Sequence, residues 1–187
     1  IILNGKKVSC AAGETILAVA RRQGVRIPTL CSHEALQPYG ACRLCIVEVA
    51  RNGRKQLLTS CTTAVQEGMR VQTGTRQIES IRKTLVALMM ARAPDAPVVQ
   101  ELARELGVKK TPFPKGNDRC IMCGLCVRTC QEVVGAAALC FVEKGSRREV
   151  SVPFYRDSQE CIGCGSCVFV CPTGAVSMHD ESRDTQT

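Results

Sequence analysis

Residues 120–130 read CIMCGLCVRTC, and residues 161–172 read CIGCGSCVFVCP. Both stretches place four cysteines at the spacing C-x2-C-x2-C-x3-C, so the second stretch repeats the first further along the chain. The 187 residues contain 14 cysteines, which is typical of a disulfide framework, of zinc sites or of iron–sulfur clusters. Disulfides fit poorly, because cysteines packed this tightly could not all pair with acceptable geometry.

The repeated spacing favours iron–sulfur clusters over zinc. A tetrahedral zinc site normally takes one close pair of cysteines and a distant second pair, not three cysteines at unbroken x2 spacing. In ferredoxins of the bacterial two-cluster type, three close cysteines hold one cluster and the fourth reaches the neighbouring one. The repeat therefore predicts two [4Fe-4S] clusters. The predicted ligands are Cys120, Cys123, Cys126 and Cys171 for one cluster, and Cys161, Cys164, Cys167 and Cys130 for the other.

A second group of cysteines lies nearer the N-terminus and predicts a [2Fe-2S] cluster. Its members are Cys31, Cys42, Cys45 and Cys61. Their spacing is similar to the plant-type pattern C-x4-C-x2-C with a distant fourth cysteine, although the first gap is longer here. Gly40 and Ala41 allow the backbone to approach a cluster closely. Zinc is a more serious alternative at this group, since one C-x2-C pair with two distant cysteines also occurs in zinc sites.

The remaining pattern predicts an α+β fold. Short strands are expected at 1–3, 6–9, 46–49, 55–59 and 69–72, with a helix after Thr15, which together suggest a β-grasp sheet. Apolar residues between Ile78 and Met89 recur at helical spacing, with Arg82 and Lys83 off that stripe, and a second helix ends at Gly107.

These elements divide the chain into four predicted segments. A β-grasp, ferredoxin-like [2Fe-2S] domain covers residues 1–75, and a helical linker covers 76–112. A bacterial two-[4Fe-4S] ferredoxin-like domain covers 113–180, with a hairpin between its two cysteine runs, and 181–187 form a polar tail.

The charge and hydropathy exclude several other classes. The formal charge of +8 counts every cysteine as neutral, and three four-thiolate clusters at about −2 each would lower it to roughly +2. The basic residues are therefore expected to balance clusters rather than to bind nucleic acid. The apolar runs are shorter than the roughly 18 residues needed to span a bilayer. No export signal is visible at the N-terminus either, so the protein is predicted to be cytoplasmic, where a reducing environment favours metal ligation over disulfides.

Other reactive side chains have simpler interpretations. Cys10 and Cys140 lie outside any ligand spacing and are predicted to be buried free thiols. His33 and His179 are predicted surface residues, and His33 is close enough to Cys31 in sequence to tune a cluster by a hydrogen bond. No dinucleotide-binding glycine motif, P-loop or nucleophile–base pair is visible, so no catalytic site of the chain's own is predicted.

Four stretches carry a family resemblance: PTLC at 28–31, GACRLCIVEV at 40–49, and the cysteine runs at 120–130 and 161–173. With them the chain resembles the N-terminal part of the large iron–sulfur subunit of respiratory complex I and the small diaphorase subunit of NAD-linked [NiFe] hydrogenases. Similar regions occur in [FeFe] hydrogenases and NAD-dependent formate dehydrogenases.

The resemblance implies an electron-transfer subunit of a multisubunit NAD(P)-linked oxidoreductase. A hydrogenase, including an electron-bifurcating one, is the first candidate. The implied partners are a flavin/NAD(P)H-binding subunit and a catalytic, hydrogenase-like subunit, with ferredoxin as a further electron carrier. The alternatives are the equivalent subunit of a formate dehydrogenase and a free-standing polyferredoxin shuttle. The basic charge and the amphipathic helix pair favour a docked subunit over the shuttle.

One departure from the family pattern concerns a fourth cluster. The family usually has a box of one histidine and three cysteines between its two domains. This chain has no cysteine from 62 to 119 and no histidine from 34 to 178, so that cluster is predicted to be absent. The two predicted helices are expected to fill its place.

Overall fold

The N-terminal part of the computed structural model is a five-stranded mixed sheet. Its strands are β1 (Ile2–Leu3), β2 (Lys6–Lys7), β3 (Ile46–Arg51), β4 (Arg54–Thr59) and β5 (Arg70–Gln72). Their order across the sheet is β2-β1-β5-β3-β4, with β1 and β5 parallel and the other pairs antiparallel. The structure describes residues 1–116, 118–156 and 158–179, so the predicted tail 181–187 lies outside the described residues.

Helix α1 (Ile16–Arg22) covers one face of this sheet. Thr15 ends the preceding loop in an extended conformation, and its hydroxyl accepts a hydrogen bond from the Ala18 N–H at 3.2 Å, which caps the helix. The apolar side of the helix packs on the sheet in one core cluster with strand residues such as Val47 and Val71. Cys45 and Cys61 belong to the same cluster, so the first group of cysteines is built into the domain core.

Two helices follow the sheet and pack on each other. They are α2 (Arg76–Arg92) and α3 (Pro97–Glu105), and both were expected from the sequence. Leu102 and Val86, one from each helix, share an apolar cluster with Leu44 from the N-terminal part and Leu125 from the C-terminal part. The helix pair therefore joins the N-terminal and C-terminal parts of the chain through a common apolar core.

The C-terminal part consists of short elements around the two cysteine runs. Its strands β6 (Cys140–Val142) and β7 (Glu149–Ser151) form the expected hairpin. Its helices are α4 (Leu125–Arg128), which continues as a π-helix (Thr129–Val134), and α5 (Ser166–Phe169). Single 3₁₀ turns occupy Gly145–Arg147 and Pro153–Tyr155. The predicted α+β fold class is confirmed, and none of the described helices is long and apolar enough to span a bilayer.

The two cysteine runs share a backbone conformation as well as a spacing. Gly124 precedes α4 with φ 74°, and Gly165 precedes α5 with φ 71°. Two residues earlier, Met122 and Gly163 also have positive φ, at 57° and 66°. The left-handed conformation thus recurs at the same two positions of each cysteine run. Three of these four residues are glycines, and the fourth, Met122, is strained there because it has a side chain.

The prediction for the buried face of α2 was wrong at two positions. Leu88 was placed on the apolar stripe but is 44% exposed, whereas Arg82 was placed off the stripe and is 6% exposed. The Arg82 guanidinium donates hydrogen bonds to three backbone carbonyls, those of Leu44 and Thr73 at 2.9 Å and that of Ile46 at 2.8 Å. Because Leu44 and Ile46 flank Cys45, this arginine fixes the chain on both sides of a predicted ligand.

We expect the substitution Arg82→Met to destabilise the protein strongly. Methionine keeps much of the apolar contact but leaves three buried carbonyls without a donor, at a cost of about 3 kcal/mol. The thermal unfolding midpoint should fall by about 8 °C for a chain of this size. Lys83→Met changes the exposed neighbour on the same helix and is the matched control. Equal melting of the two variants would contradict the role assigned to Arg82.

Candidate metal centres

The four cysteines nearest the N-terminus form what we call the N-terminal thiol set. Cys31 and Cys42 lie in the long loop between α1 and β3, Cys45 immediately precedes β3, and Cys61 follows β4. The structure buries all four, none of them more than 6% exposed. The Sγ atoms of Cys45 and Cys61 are 3.2 Å apart. The four thiols are therefore enclosed by protein.

Hydrogen bonds between these thiols perturb their acidity. Contacts with the thiols of Cys42 and Cys61 lower the pKa of Cys31 to about 2. Cys61 likewise lowers the pKa of Cys45 to about 6, while the same hydrogen bonds raise the pKa of Cys42 and of Cys61. The acidity of each thiol in the set is thus linked to that of a neighbouring thiol. A metal centre bound here would take the place of the thiol protons.

The inner thiol set brings together Cys120, Cys123, Cys126 and Cys171. These four cysteines line one cavity of about 370 Å³ between the two cysteine runs. Burial raises the pKa of Cys123 to about 11 and that of Cys126 to about 12, with Cys171 adding to both effects through its charge. Cys171 belongs to the second cysteine run, yet the fold places it beside three cysteines of the first run.

The outer thiol set has the complementary composition. Cys130, Cys161, Cys164 and Cys167 line a cavity of about 630 Å³. Burial raises the pKa of Cys167, with smaller contributions from the charges of Cys164 and Cys130. Cys161 and Cys164 are exposed, in contrast with the inner set. The three sets therefore form a series from fully buried to solvent-facing.

The surroundings of the thiols fit iron–sulfur clusters. Backbone N–H groups donate to at least one sulfur in each set: Cys42 to Cys31 at 3.3 Å, Ala175 to Cys171 at 3.2 Å and Ala138 to Cys130 at 3.3 Å. Such donors stabilise the negative charge of thiolate-bound clusters. In the described part of the chain, no three Cys, His, Asp or Glu side chains converge on a single metal ion. A cluster does not require such convergence, because each of its iron atoms takes only one thiolate in a [4Fe-4S] cluster or two in a [2Fe-2S] cluster.

The N-terminal and inner sets are neighbours. Cys31, Cys42 and Cys123 belong to one buried apolar cluster, and the charge of Cys31 contributes to raising the pKa of Cys123. In the described part of the chain, the N-terminal and inner sets thus share one buried cluster, with no histidine and cysteine box between them.

Apolar packing occupies the end of α2 and the start of α3, in the region where the family pattern has its histidine and cysteine box. Ala93, Ala96 and Val99 are buried and form a small cluster with Met89 from α2 and Ile121 from the first cysteine run. The described residues of this region offer no thiol or imidazole. The helix pair thus supports the Cys120 loop by packing and through Arg92 of α2, whose Nε donates to the Cys120 carbonyl at 2.7 Å and whose Nη2 pairs with Asp118 at 2.8 Å.

The two remaining cysteines and the two histidines lie outside the three thiol sets. Cys10 and Cys140 were predicted to be buried but are both half-buried, and Cys10 packs against the edge of the N-terminal core cluster. His33 is also half-buried, and its Nδ1 accepts a hydrogen bond from the Ala35 N–H at 3.2 Å rather than contacting a cysteine. His179 is exposed, at the rim of the outer cavity.

Sequence reasoning missed two buried arginines near the thiol sets, Arg82 and Arg128. Arg128 lies between Cys126 and Cys130 and is 7% exposed. A signal existed only for Arg82, which lies four residues from both Ile78 and Val86 and so belongs to the buried stripe of α2. Arg128 lies in a run whose pattern is dominated by its cysteines, and nothing in the spacing indicates its contacts.

Comparison with known proteins agrees with the two kinds of site. Residues 1–76 match the 2Fe-2S iron-sulfur cluster binding domain, and residues 119–175 match the 4Fe-4S dicluster domain. The chain belongs to the iron–sulfur proteins that combine these two domains. The predicted resemblance and the predicted order of the two domain types are confirmed, and both domains are of kinds that hold iron–sulfur clusters.

Similar proteins come from several respiratory and hydrogenase systems. The chain is 35% identical to a subunit of the NADH-quinone oxidoreductase of Rhizobium meliloti, over 94% of this chain and 23% of the relative. It is 32% identical to the HndD subunit of the NADP-reducing hydrogenase of Solidesulfovibrio fructosivorans, over 96% of this chain and 36% of the relative. The chain thus spans only about a quarter to a third of these relatives.

A solved structure is similar over most of its length. A chain of the NAD+-reducing [NiFe]-hydrogenase in the H2-reduced state matches with a TM-score of 0.80 and 27% sequence identity. The match covers 92% of this chain and 84% of that chain. The arrangement of the two iron–sulfur domains is therefore shared with a chain of a known NAD-linked hydrogenase.

We expect Gly40→Ala to disrupt the N-terminal thiol set. Gly40 has φ 72°, and an added Cβ would lie 3.1 Å from Cγ2 of Thr62, next to Cys61. Strain in the left-handed conformation costs about 1–2 kcal/mol, and the steric contact adds to it. Gly68→Ala is a matched control, because Gly68 has φ 78° and open space around it. Thermal melting should show the larger loss for Gly40→Ala, and a reversed order would contradict the steric argument.

Proposed function

We propose that this chain is an electron-transfer subunit of a multisubunit NAD(P)-linked oxidoreductase, and that the complex is a hydrogenase. In this proposal electrons pass through one [2Fe-2S] and two [4Fe-4S] clusters between a flavin/NAD(P)H-binding subunit and a catalytic subunit or ferredoxin. The observation that carries the proposal is the grouping of twelve cysteines into three four-thiol sets along one short chain. Similarity to subunits of NAD- and NADP-reducing hydrogenases supports it.

The proposed ligands follow the three thiol sets. The N-terminal set would hold the [2Fe-2S] cluster, and the inner and outer sets would each hold a [4Fe-4S] cluster. The two shared cavities support the exchange of Cys130 and Cys171 between the cysteine runs. When bound, the clusters supply one-electron redox chemistry. The protein contributes burial, backbone N–H donors and fixed spacing between the sets.

The surface around the outer set supports a docked subunit over a diffusing shuttle. Beside this set, Phe169 is 89% exposed and Ile162 is 71% exposed. Large apolar side chains grouped at an exposed metal centre are typical of an interface that a partner covers. A partner subunit at this end would receive electrons over a short distance. The predicted cytoplasmic location remains part of the proposal, on the argument that free thiols before cluster assembly need a reducing compartment.

Iron content tests the ligand exchange between the runs. The intact protein, purified without oxygen, should contain about ten iron atoms per chain. The double variant Cys161→Ser/Cys164→Ser should lose one [4Fe-4S] cluster and retain about six. Adding Cys130→Ser to it should then remove little more iron, because Cys130 serves the cluster already lost. Adding Cys171→Ser should remove the second [4Fe-4S] cluster and leave about two.

The matched control for these variants is Cys10→Ala/Cys140→Ala, which changes the two cysteines outside the thiol sets. Its iron content should equal that of the unsubstituted protein. If Cys130→Ser removes the second cluster and Cys171→Ser does not, each run holds its own cluster and the exchange is wrong. Zinc in place of two irons would make the N-terminal set a structural zinc site.

Reduction by nicotinamide nucleotides tests the role in a complex. The isolated chain should show no reduced-cluster EPR signal with NADH or NADPH, because its sequence predicts no site of its own for splitting a hydride into single electrons. Dithionite should reduce it. Addition of the flavin-binding subunit of the complex should make NADH or NADPH effective. Direct reduction of the isolated chain by either nucleotide would contradict the proposal.

A further inference from the structure

The boundary between the N-terminal and inner thiol sets contains one buried guanidinium, that of Arg128. The side chain projects from the end of α4, between Cys126 of the inner set and Cys130 of the outer set. Its Nη1 donates to the backbone carbonyl of Cys31 at 3.1 Å, and its Nη2 donates to the carbonyl of Gln37 at 2.5 Å. One arginine therefore connects a cysteine of the N-terminal set to the segment that carries cysteines of both other sets.

Glu132 completes this contact from the following turn of the helix. Its Oε1 accepts from Nε of Arg128 at 3.3 Å, and its Oε2 accepts from the backbone N–H of Gln37 at 2.8 Å. The carboxylate thus holds the arginine and the same loop at once. The guanidinium charge is balanced locally, so the pair positions the loop more than it alters the local potential.

Tyr39 closes the contact on its remaining side. Its ring lies 5.1 Å from the Arg128 guanidinium carbon, measured to the ring centroid. The same ring approaches Gly124, where an added Cβ would lie 3.3 Å from it. The loop at 31–39 is therefore held against the first cysteine run by a hydrogen-bonded fork and a stacked ring.

We infer that Arg128 is a positioning residue that fixes the N-terminal thiol set against the inner set and so sets the distance for electron transfer between their clusters. The inference rests on the proposed function for its consequence, but the contact itself concerns only the described side chains. Electron tunnelling slows steeply with distance, so a loop free to move away would slow this step. The planar fork matters, since lysine presents one ammonium and cannot reach both carbonyls and the carboxylate in the same geometry.

The test compares Arg128→Met with Arg22→Met in the full chain. Arg22 also pairs with a glutamate, Glu14, but on the exposed surface of the N-terminal domain, which makes it the matched control. Hydrogen exchange should be about tenfold faster at the Gln37 amide in Arg128→Met, because loss of the fork frees the loop at a cost of about 1.4 kcal/mol. Arg22→Met should leave that amide unchanged, and Arg128→Lys should restore protection only in part.

A second readout reports on the distance between the clusters. In fully reduced protein, a nearby paramagnetic [4Fe-4S] cluster speeds relaxation of the [2Fe-2S] EPR signal. Arg128→Met should contain as much iron as the unsubstituted protein, yet the microwave power that half-saturates this signal should fall. Unchanged saturation together with unchanged exchange at Gln37 would overturn the inference.

Failure of a variant and absence of clusters from the unsubstituted protein have different consequences. Failure of Arg128→Met to fold or to take up iron moves the test to Glu132→Ala, which removes the acceptor for the Gln37 N–H and should also speed exchange there. Normal protection in that variant would overturn the inference. Absence of clusters from the unsubstituted protein would overturn the proposed function instead, and the exchange comparison would still decide whether Arg128 holds the loop.

Discussion

The structure depends on thiols that are part of its hydrophobic core. Cys45 and Cys61 lie in the core of the N-terminal sheet, and Cys31, Cys42 and Cys123 lie in the cluster that joins both ends of the chain. The sequence has no tryptophan and only four phenylalanines, so aromatic burial contributes little to stability. Burial and neighbouring thiols perturb the acidity of these cysteines, and a metal that binds them as thiolates displaces their protons. Cluster binding and folding are therefore coupled in the proposed holoprotein.

Much of the fold was predictable because each element carries its own local signal. The turn at Asn52 and Gly53, the helix start at Thr15 and the stop at Gly107 are determined by short-range chemistry, and an element begins or ends within two residues of each of them. The three thiol sets were predictable for a different reason. Cluster geometry imposes spacing on the cysteines, and this spacing is visible without knowledge of the fold. The exchange of ligands between runs remains a proposal, although the cavities group the cysteines in that way.

The contacts between the sets were not predictable from the sequence. Arg128 looks like a surface residue in a hydropathy pattern, because arginine is rarely fully buried. Arg82 differs only in lying on the buried stripe of α2, which signals its burial but not its partners. Both are buried here because they donate to backbone carbonyls that include those of Leu44 and Cys31, which lie in irregular segments with no strand or helix to satisfy them. Loop carbonyls have no sequence signature. Neither the partner of a buried arginine nor the junction of two domains can therefore be derived from residue types alone.

The graded burial of the thiol sets constrains how a partner could use this chain. The N-terminal set is enclosed, the inner set is partly enclosed, and the outer set opens to solvent beside exposed apolar side chains such as Phe169. In the proposed holoprotein, electrons would leave the outer set without any movement of this chain, but would reach the N-terminal set only through protein. A partner at that end must approach the loops around Cys31 or Cys42, and the loop at 31–39 is held on its other side by Arg128. A partner that holds the loop at 31–39 more tightly would then change the spacing between the N-terminal and inner thiol sets.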